Sequence, residues 1–335
     1  MVTGPVSRLL LTAMIMCCIC VPASVQAEGN TITYSIVHIS DTQNLATYYP
    51  ETYNLTFSYL ESQKSRYNIS AIIITGDIVN TWDKKKEWDT YLHARNLTTI
   101  PVYVIAGNHD TDSGKNYQSY TRYTGEPENG YVTSVGDFDL VGIDYTDKTL
   151  SREEFSRIRA TLANSSRSNA IIATHWYMNK DKTLSPLGKD IDINLIVKPS
   201  LVLMGHKHED FVQQKNISDF PVVEDMTNYQ DGVPGGNGDR NYSAGTLYTV
   251  TSAGGKVEKI TSRVIHISSP QSVEKEKTVF ELPQAAINQV RPALPGPEIS
   301  SPLPVPVECN AADVFCRLHN LVEQGLNVLG SILDD

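Results

Sequence analysis

Short apolar runs alternate with amphipathic stretches through the first two thirds of the chain. Aliphatic and β-branched residues predict strands at 31–39, 71–75, 101–106, 169–174 and 200–204. Patterns with helical spacing separate the first three of these runs, at 51–67 and 84–95. Alternating strands and helices predict parallel strands that are covered by helices on both faces.

Antiparallel elements are predicted in the middle and later parts of the chain. Two hairpin strands are expected at 130–135 and 138–144, and two more at 244–253 and 256–268. The capping box Ser151-Arg-Glu-Glu154 predicts a helix that begins there. Three loops are expected to choose the substrate, and the Gly-rich one is expected to be mobile. They are the segments 116–129, 179–189 and 231–245.

The first 27 residues read as a secretory signal. Arg8 precedes an apolar run over 9–21, and Val25-Gln26-Ala27 places small residues where a signal peptidase cleaves. A membrane anchor is the alternative, but the run is about 13 residues, short of the roughly 20 that span a bilayer. We therefore expect a protein that is secreted or associated with the cell envelope.

The C-terminal part of the chain has a different composition. Residues 283–307 are rich in proline and predict an extended linker, which leaves a main domain at 28–282. Residues 308–335 follow, and within them 311–333 have the spacing of an amphipathic helix. This helix is expected to dock on the protein itself, on a second copy, or on a partner or the envelope. Cys309 and Cys316 are candidates for a local disulfide in an oxidising compartment.

Composition limits the function only broadly. The 335 residues are 40% hydrophobic and 20% charged, which fits one large or two small globular domains. The net charge of −10 argues against a dedicated nucleic-acid binder, because an acidic surface repels phosphate backbones. Glycosylation sequons would fit an exported glycoprotein. They begin at Asn54, Asn68, Asn96, Asn164, Asn216 and Asn241.

Potential metal ligands follow five of the predicted strands directly. Each alone has an ordinary explanation, such as a helix cap or a hydrogen-bonded histidine, but the repetition favours one shared site. The carboxyl ends of parallel strands meet at one edge of a sheet, so these side chains could share a crevice. Carboxylate, imidazole and amide groups suit borderline or hard divalent ions. The candidates are Asp41 with Gln43, Asp77 with Asn80, Asn108 with His109, His175, and His206 with His208.

These blocks resemble the calcineurin-like metallophosphoesterases. The resemblance rests on Asp41-Thr-Gln43, Gly76-Asp77-Ile-Val-Asn80, Gly107-Asn108-His109-Asp110, His175 and Gly205-His206-Lys-His208. It implies an α/β (α+β) sandwich of two central mixed β-sheets flanked by helices, with a two-metal site at one edge. It also implies hydrolysis of phosphate mono- or diesters, with a hydroxide that bridges two divalent ions as the nucleophile. The ions would be manganese, zinc, iron or magnesium.

The resemblance also implies a role for each residue. Asp77 would bridge the two ions, Asp41 and His208 would bind the first, and Asn108, His175 and His206 would bind the second. His109 would act on the substrate as the catalytic residue, with Asn108 also contacting the phosphate.

The chain departs from the family pattern at three places. Gln43 stands where the family usually has a metal-binding histidine, so an amide would be the weaker ligand there. Asn80 stands where many members have the aspartate that orients the catalytic histidine. Trp176 and Tyr177 follow His175 and are candidates either for stacking on a substrate ring or for packing.

The sequence therefore predicts a secreted, two-metal phosphoesterase. The alternative is a diverged member of the same fold that binds metal or a partner without turnover, which the glutamine at position 43 keeps open. No nucleic-acid partner is expected, and contact with an envelope or a partner would involve 311–333.

Overall fold

A computed structural model describes two mixed β-sheets with helices packed on their outer faces. It covers residues 31–145, 152–167, 169–194, 200–207, 211–217, 220–226, 243–268 and 277–281. The helices in these ranges are α1 (Gln43–Tyr48), α2 (Pro50–Tyr67), α3 (Lys85–Arg95), α4 (Gln118–Thr124), α5 (Arg152–Ala163) and α6 (Pro186–Asn194). None of the described helices is long and apolar enough to cross a membrane.

The first sheet has the order β12-β11-β10-β1-β2-β3. Its strands are β1 (Thr31–Ile39), β2 (Ile69–Ile74), β3 (Val102–Val104), β10 (Ala244–Ala253), β11 (Lys256–His266) and β12 (Lys277–Glu281). β1, β2 and β3 run parallel, because the helical crossovers return the chain to the same end of the sheet. β10 pairs antiparallel with β1 and continues into the hairpin with β11.

The second sheet has the order β4-β5-β6-β7-β9-β8. Its strands are β4 (Tyr131–Val135), β5 (Phe138–Ile143), β6 (Asn169–Thr174), β7 (Leu201–Met204), β8 (Phe211–Ile217) and β9 (Phe220–Met226). The four central strands are parallel, and β4 and β8 are antiparallel edge strands. Both sheets are therefore mixed, as the resemblance implied.

Alternate residues of β1 explain why the two sheets stack. Tyr34 and Ile36 belong to the apolar layer between the sheets, whereas Val37 and Ile39 face the layer that holds α1 to α4. A third apolar cluster packs α5 and α6 against the second sheet. The part of β1 after Thr33 is buried on both faces, which is why both faces carry apolar side chains there.

The structure confirms most of the predicted elements within one to three residues of their ends. The pattern missed α1, α4, α6, β8, β9 and β12. The segments expected as loops at 116–129 and 179–189 contain α4 and part of α6. The predicted loop 231–245 extends two residues too far, since Ala244 and Gly245 lie in β10. A Cβ on Gly245 would lie 2.8 Å from Ile39 Cγ2, so this glycine reflects close strand packing and not a turn.

Several predictions fall outside the described residues. They are the signal segment 1–27, the linker 283–307, the helix within 308–335, Ser151, His208, Cys309 and Cys316. These, together with the domain bounds at 28–282, stay predictions.

Candidate metal centre

Five parallel strands from the two sheets end at one edge of the sandwich. β1 leads to Asp41, β2 to Asp77, β3 to Asn108, β6 to His175 and β7 to His206. Potential ligand atoms of Asp41, Asp77 and His175 all lie within 4.8 Å of one another, and all three residues are buried. Buried carboxylates this close repel each other unless a cation or a proton lies between them.

The backbone is strained at three of these strand ends. Asp41, Asp77 and His206 have φ values of +56°, +52° and +72°, in the left-handed region that residues with a side chain seldom adopt. Such strain persists only where the surrounding structure enforces it, and it concentrates at functional sites. Here it turns the chain sharply after each strand, which keeps the side chains at the rim of the sheets.

Asp77 lies at the centre of the cluster. Its Oδ1 accepts a hydrogen bond from the His109 backbone N–H at 3.0 Å and lies 3.3 Å from His175 Nε2. Burial raises the pKa of this carboxyl, but the charge and hydrogen bond of His175 outweigh burial and lower the pKa to about 2. Asp77 is therefore an ionised carboxylate, which is the form that a metal requires.

The His175 ring is held in one orientation. Its Nδ1 lies 2.7 Å from the Thr75 carbonyl oxygen, which can only accept, so Nδ1 carries the proton. Its Nε2 then faces two oxygens, Asp77 Oδ1 and Asn108 Oδ1 at 3.1 Å. Burial lowers the pKa of His175, but the carboxylate of Asp77 dominates and raises it to about 9. A nitrogen and two oxygens that converge in this way are a donor set that fits a divalent cation.

Gln43 has one polar atom without a partner. Its Nε2 lies 3.5 Å from Asp77 Oδ2, whereas its Oε1 is buried and has no hydrogen-bond partner among the residues that the structure describes. A buried amide oxygen that lacks a donor is unfavourable by about 1–3 kcal/mol, unless a cation or another donor satisfies it. Gln43 thus lies where the resemblance expects a ligand, with an acceptor available.

His109 lies at the more open side of the cluster. Its Nδ1 is 2.8 Å from the Asn80 carbonyl oxygen, so Nδ1 donates and Nε2 points towards Asp77 Oδ2 at 3.9 Å. Asn80 thus contacts His109 through its backbone and not through its side chain. Glu87, which the sequence did not single out, accepts hydrogen bonds from the N–H groups of Asn80 and Thr81 and fixes this loop.

Two further buried carboxylates, which sequence reasoning left without a role, fix the loops of the site. Asp110 accepts hydrogen bonds from the N–H groups of Ile78, Val79 and Gly107, and so ties the loop after β2 to the loop after β3. Burial and the charge of Asp77 raise the pKa of Asp110 to about 7. Asp110 was visible as the last residue of its motif, but only the folded chain shows what it binds.

Asp144 likewise ties two loops together, the loop after β3 and the loop before β4. It accepts hydrogen bonds from the N–H groups of Ala106 and Gly130 at 2.8 and 3.1 Å. Burial raises its pKa to about 7, although both hydrogen bonds act in the opposite direction. The position of Asp144 at the end of the hairpin strand β5 was the only signal in the sequence.

Aromatic rings line the side of the site that the second sheet forms. Tyr145 stacks near Trp176 with ring centroids 6.1 Å apart, and the His206 ring lies 5.2 Å from Trp176 and 4.9 Å from His175. Tyr177 is instead buried, and its hydroxyl donates to Asp192 at 2.6 Å. Of the two aromatic candidates, Trp176 therefore belongs to the site and Tyr177 to the core.

The structure brings together all the predicted site residues that it describes. The His206 N–H lies 3.2 Å from both carboxylate oxygens of Asp41, which joins the β7 loop to the β1 loop. Their roles as ligands or catalyst remain predictions.

The chain belongs to the calcineurin-like phosphoesterase family, whose model matches residues 34–210. The matched region contains each of the strand ends described above. The fold is that of this family of phosphoesterase-type hydrolases, which typically bind two divalent metals.

Similar proteins extend the comparison at low identity. An uncharacterized protein of Bacillus subtilis, YvnB, is 26% identical over 235 residues, which cover 61% of this chain but 18% of that protein. The purple acid phosphatase PPD1 from yellow lupin seeds has a TM-score of 0.54 at 14% identity, over 75% of this chain and 54% of the lupin chain. A dimetal phosphatase from Danio rerio has a TM-score of 0.51 at 12% identity, over 74% of this chain and 99% of its own. The chain thus spans about a fifth of YvnB and about half of the lupin enzyme, and the two structures support the fold alone.

Proposed function

We propose that this protein is a secreted hydrolase of phosphate mono- or diesters that uses two divalent metal ions. The observation that carries the proposal is the buried cluster of Asp41, Asp77 and His175, with the imidazole of His109 beside it. The cluster supplies anionic and neutral donors, and His109 supplies a group that can transfer a proton.

Asp41, Gln43 and His208 would hold the first ion, Asn108, His175 and His206 the second, and Asp77 both. Two ions bound there supply a water of lowered pKa and positive charge against the phosphate. Nitrogen and oxygen ligands without thiolate allow manganese, zinc, iron or magnesium.

His109 is proposed to protonate the leaving oxygen of the ester. Because Nδ1 donates to the Asn80 carbonyl, Nε2 is the nitrogen that takes up a proton and gives it to the substrate. The side chain is 39% exposed, so a substrate can reach it, whereas the carboxylate of Asp77 behind it is 2% exposed. The protein thus separates a buried ion-binding group from an accessible acid.

Hydrolysis of two chromogenic substrates tests the proposal. Wild type, Asp77→Asn and His109→Ala would be stripped of metal, supplied with Mn²⁺ or Zn²⁺, and assayed with a phosphomonoester and a phosphodiester. We expect metal-dependent turnover in the wild type and a loss of at least about 100-fold in each variant. The preferred ester would assign the subclass.

Two exposed residues on the first-sheet side offer matched controls. Asp83→Asn and His93→Ala make the same chemical changes at exposed positions and are expected to keep wild-type activity. Absence of turnover in metal-loaded wild type would refute catalysis. If that protein still binds metal, the second candidate is favoured, a metal- or partner-binding member of the fold without turnover. The amide of Gln43 in place of imidazole is the observation that supports it.

We also propose that the C-terminal segment attaches the protein to an envelope or a partner. The proline-rich composition of 283–307 and the amphipathic pattern of 311–333 support this. Truncation before Pro283 should keep activity and lose surface retention. Loss of folding on truncation would contradict the proposal.

A further inference from the structure

Lys207 lies on the loop after β7, between His206 and His208. Its Nζ lies 4.5 Å from the centroid of the Trp176 ring, and the side chain is half-buried. The Trp176 ring is itself fixed, because its Nε1 donates to Asn179 Oδ1 at 3.2 Å and its plane stacks near Tyr145. The ammonium group is therefore held at the rim of the candidate metal centre.

This ammonium lacks an acidic neighbour in the part of the chain that the structure describes. Two lysines of α3 and its N-terminus are paired with acidic residues, Lys85 with Asp89 at 2.7 Å and Lys84 with Glu87 at 3.6 Å. For Lys207, no ion pair with a described carboxylate is present, and its side chain rests on a ring instead. A cation–π contact positions an ammonium without neutralising its charge, so the charge stays available to a ligand.

The negative charges around Lys207 indicate what its ammonium group can do for an anionic ligand. Asp41 and Asp77 are buried beside the loop, and the whole chain has a net charge of −10. Bound divalent ions would offset the charges of Asp41 and Asp77, but the net negative charge of the chain still repels an anionic substrate that approaches, and a fixed cation at the rim would reduce that repulsion. A lysine ammonium is a compact point charge with three donors, which suits a phosphoryl oxygen.

We propose that Lys207, positioned by Trp176, binds an anionic phosphoryl oxygen of the substrate. This inference rests on the proposed phosphoesterase function and names a residue that the family motif does not assign. The oxygen belongs either to the reacting phosphate or to a second phosphate of the same substrate. The two sources share one chemistry, and the experiment below separates them.

Binding of two stable phosphonates to the metal-loaded protein tests the proposal. Propylphosphonate has one anionic group and 1,3-propylenediphosphonate has two, and their C–P bonds are not hydrolysed. Titration calorimetry would compare wild type with Lys207→Gln. If Lys207 contacts the reacting phosphate, Kd rises about 10- to 100-fold for both ligands. If it contacts a second phosphate, Kd rises for the diphosphonate alone.

Lys256→Gln is the matched control, since it removes the same charge from an exposed lysine. Lys256 lies at the turn between β10 and β11, where Ala253 pairs with Thr31 at the end of the sheet remote from Asp41. It should bind both ligands as the wild type does. Lys207→Arg should restore most of the affinity, because it keeps the charge. Unchanged Kd values in Lys207→Gln for both ligands would overturn the proposal.

The metal content of each variant separates lost phosphonate binding from lost metal. If Lys207→Gln binds less metal, Trp176→Leu and Trp176→Phe decide, compared at equal metal content because the Trp176 ring also contacts the His206 ring at 5.2 Å. Leucine should weaken binding at least threefold and phenylalanine less, and equal wild-type affinity in both would refute the role of the ring. The proposal for Lys207 and the proposal of phosphoester hydrolysis can fail separately. Phosphonate binding is measured without turnover, so a protein that does not hydrolyse esters can still show the effect of Lys207→Gln. Conversely, the wild type can hydrolyse esters even if Lys207→Gln leaves the Kd values unchanged.

Discussion

Replacing Gly107 by alanine should displace Asp77 and weaken metal binding without changing any ligand. A Cβ at this position would lie 2.2 Å from Asp77 Oδ1 and 2.3 Å from the Asp77 backbone N. Ordinary contacts of a Cβ begin at 3.4 Å. The central carboxylate and the loop after β2 must therefore retreat by roughly 1 Å, because the Cβ meets the backbone of Asp77 as well as its carboxylate.

The expected size of the effect follows from this displacement. Metal–ligand distances in proteins hold within about 0.2 Å, so a shift of roughly 1 Å breaks the geometry of a shared ligand. We expect the affinity for Mn²⁺ or Zn²⁺ to fall about 100-fold or more. Overpacking should also lower the free energy of unfolding by about 1–3 kcal/mol, which is a few degrees in Tm for a domain of this size.

Metal stoichiometry by mass spectrometry, Kd by competition with a chelator, and Tm would be measured together. Gly254→Ala is the control, because Gly254 has a φ of +56° and no described atom would lie within 4 Å of an added Cβ. It should lose stability through backbone strain and keep wild-type metal binding. If Gly107→Ala bound metal with wild-type stoichiometry and affinity, the central role given to Asp77 would be refuted.

Substitutions at three further positions test other parts of the site. Asp110→Ala leaves three buried N–H groups without their acceptor. The free energy of unfolding, measured by urea titration, should therefore fall by about 3 kcal/mol or more. A loss below about 1 kcal/mol would contradict the role of Asp110 in tying the two loops together. Gln43→Glu should tighten and Gln43→Ala should weaken divalent-ion binding, and equal Kd values in both would exclude position 43 as a ligand. For Asp144, the folded pKa of about 7 exceeds the unfolded value of 3.8, so the folded state binds more protons and its stability falls as pH rises between these values. Asp144→Asn should flatten that fall in urea titrations from pH 4 to 8, and an unchanged slope would show that Asp144 is ionised throughout.

Much of the fold followed from local pattern alone. Strands that are buried on both faces, such as β2, leave apolar runs, and the carboxyl ends of parallel strands must gather at one edge. Short elements with weak patterns were missed, as α4 and α6 show. Their helical form depends on packing against the sheets and not on a strong local signal.

The sequence by itself determined which residue types would gather at the edge, whereas the order of the strands came from the structure. Five of the site residues each follow a strand that the hydrophobic pattern predicts without a structure, namely Asp41, Asp77, Asn108, His175 and His206. Only the tertiary structure decided their orientation. It assigns the proton of His109 to Nδ1, leaves Gln43 Oε1 without a partner in the described part of the chain, and puts Lys207 over Trp176. These features depend on contacts between residues far apart in the chain, and on left-handed backbone turns that neighbouring strands enforce.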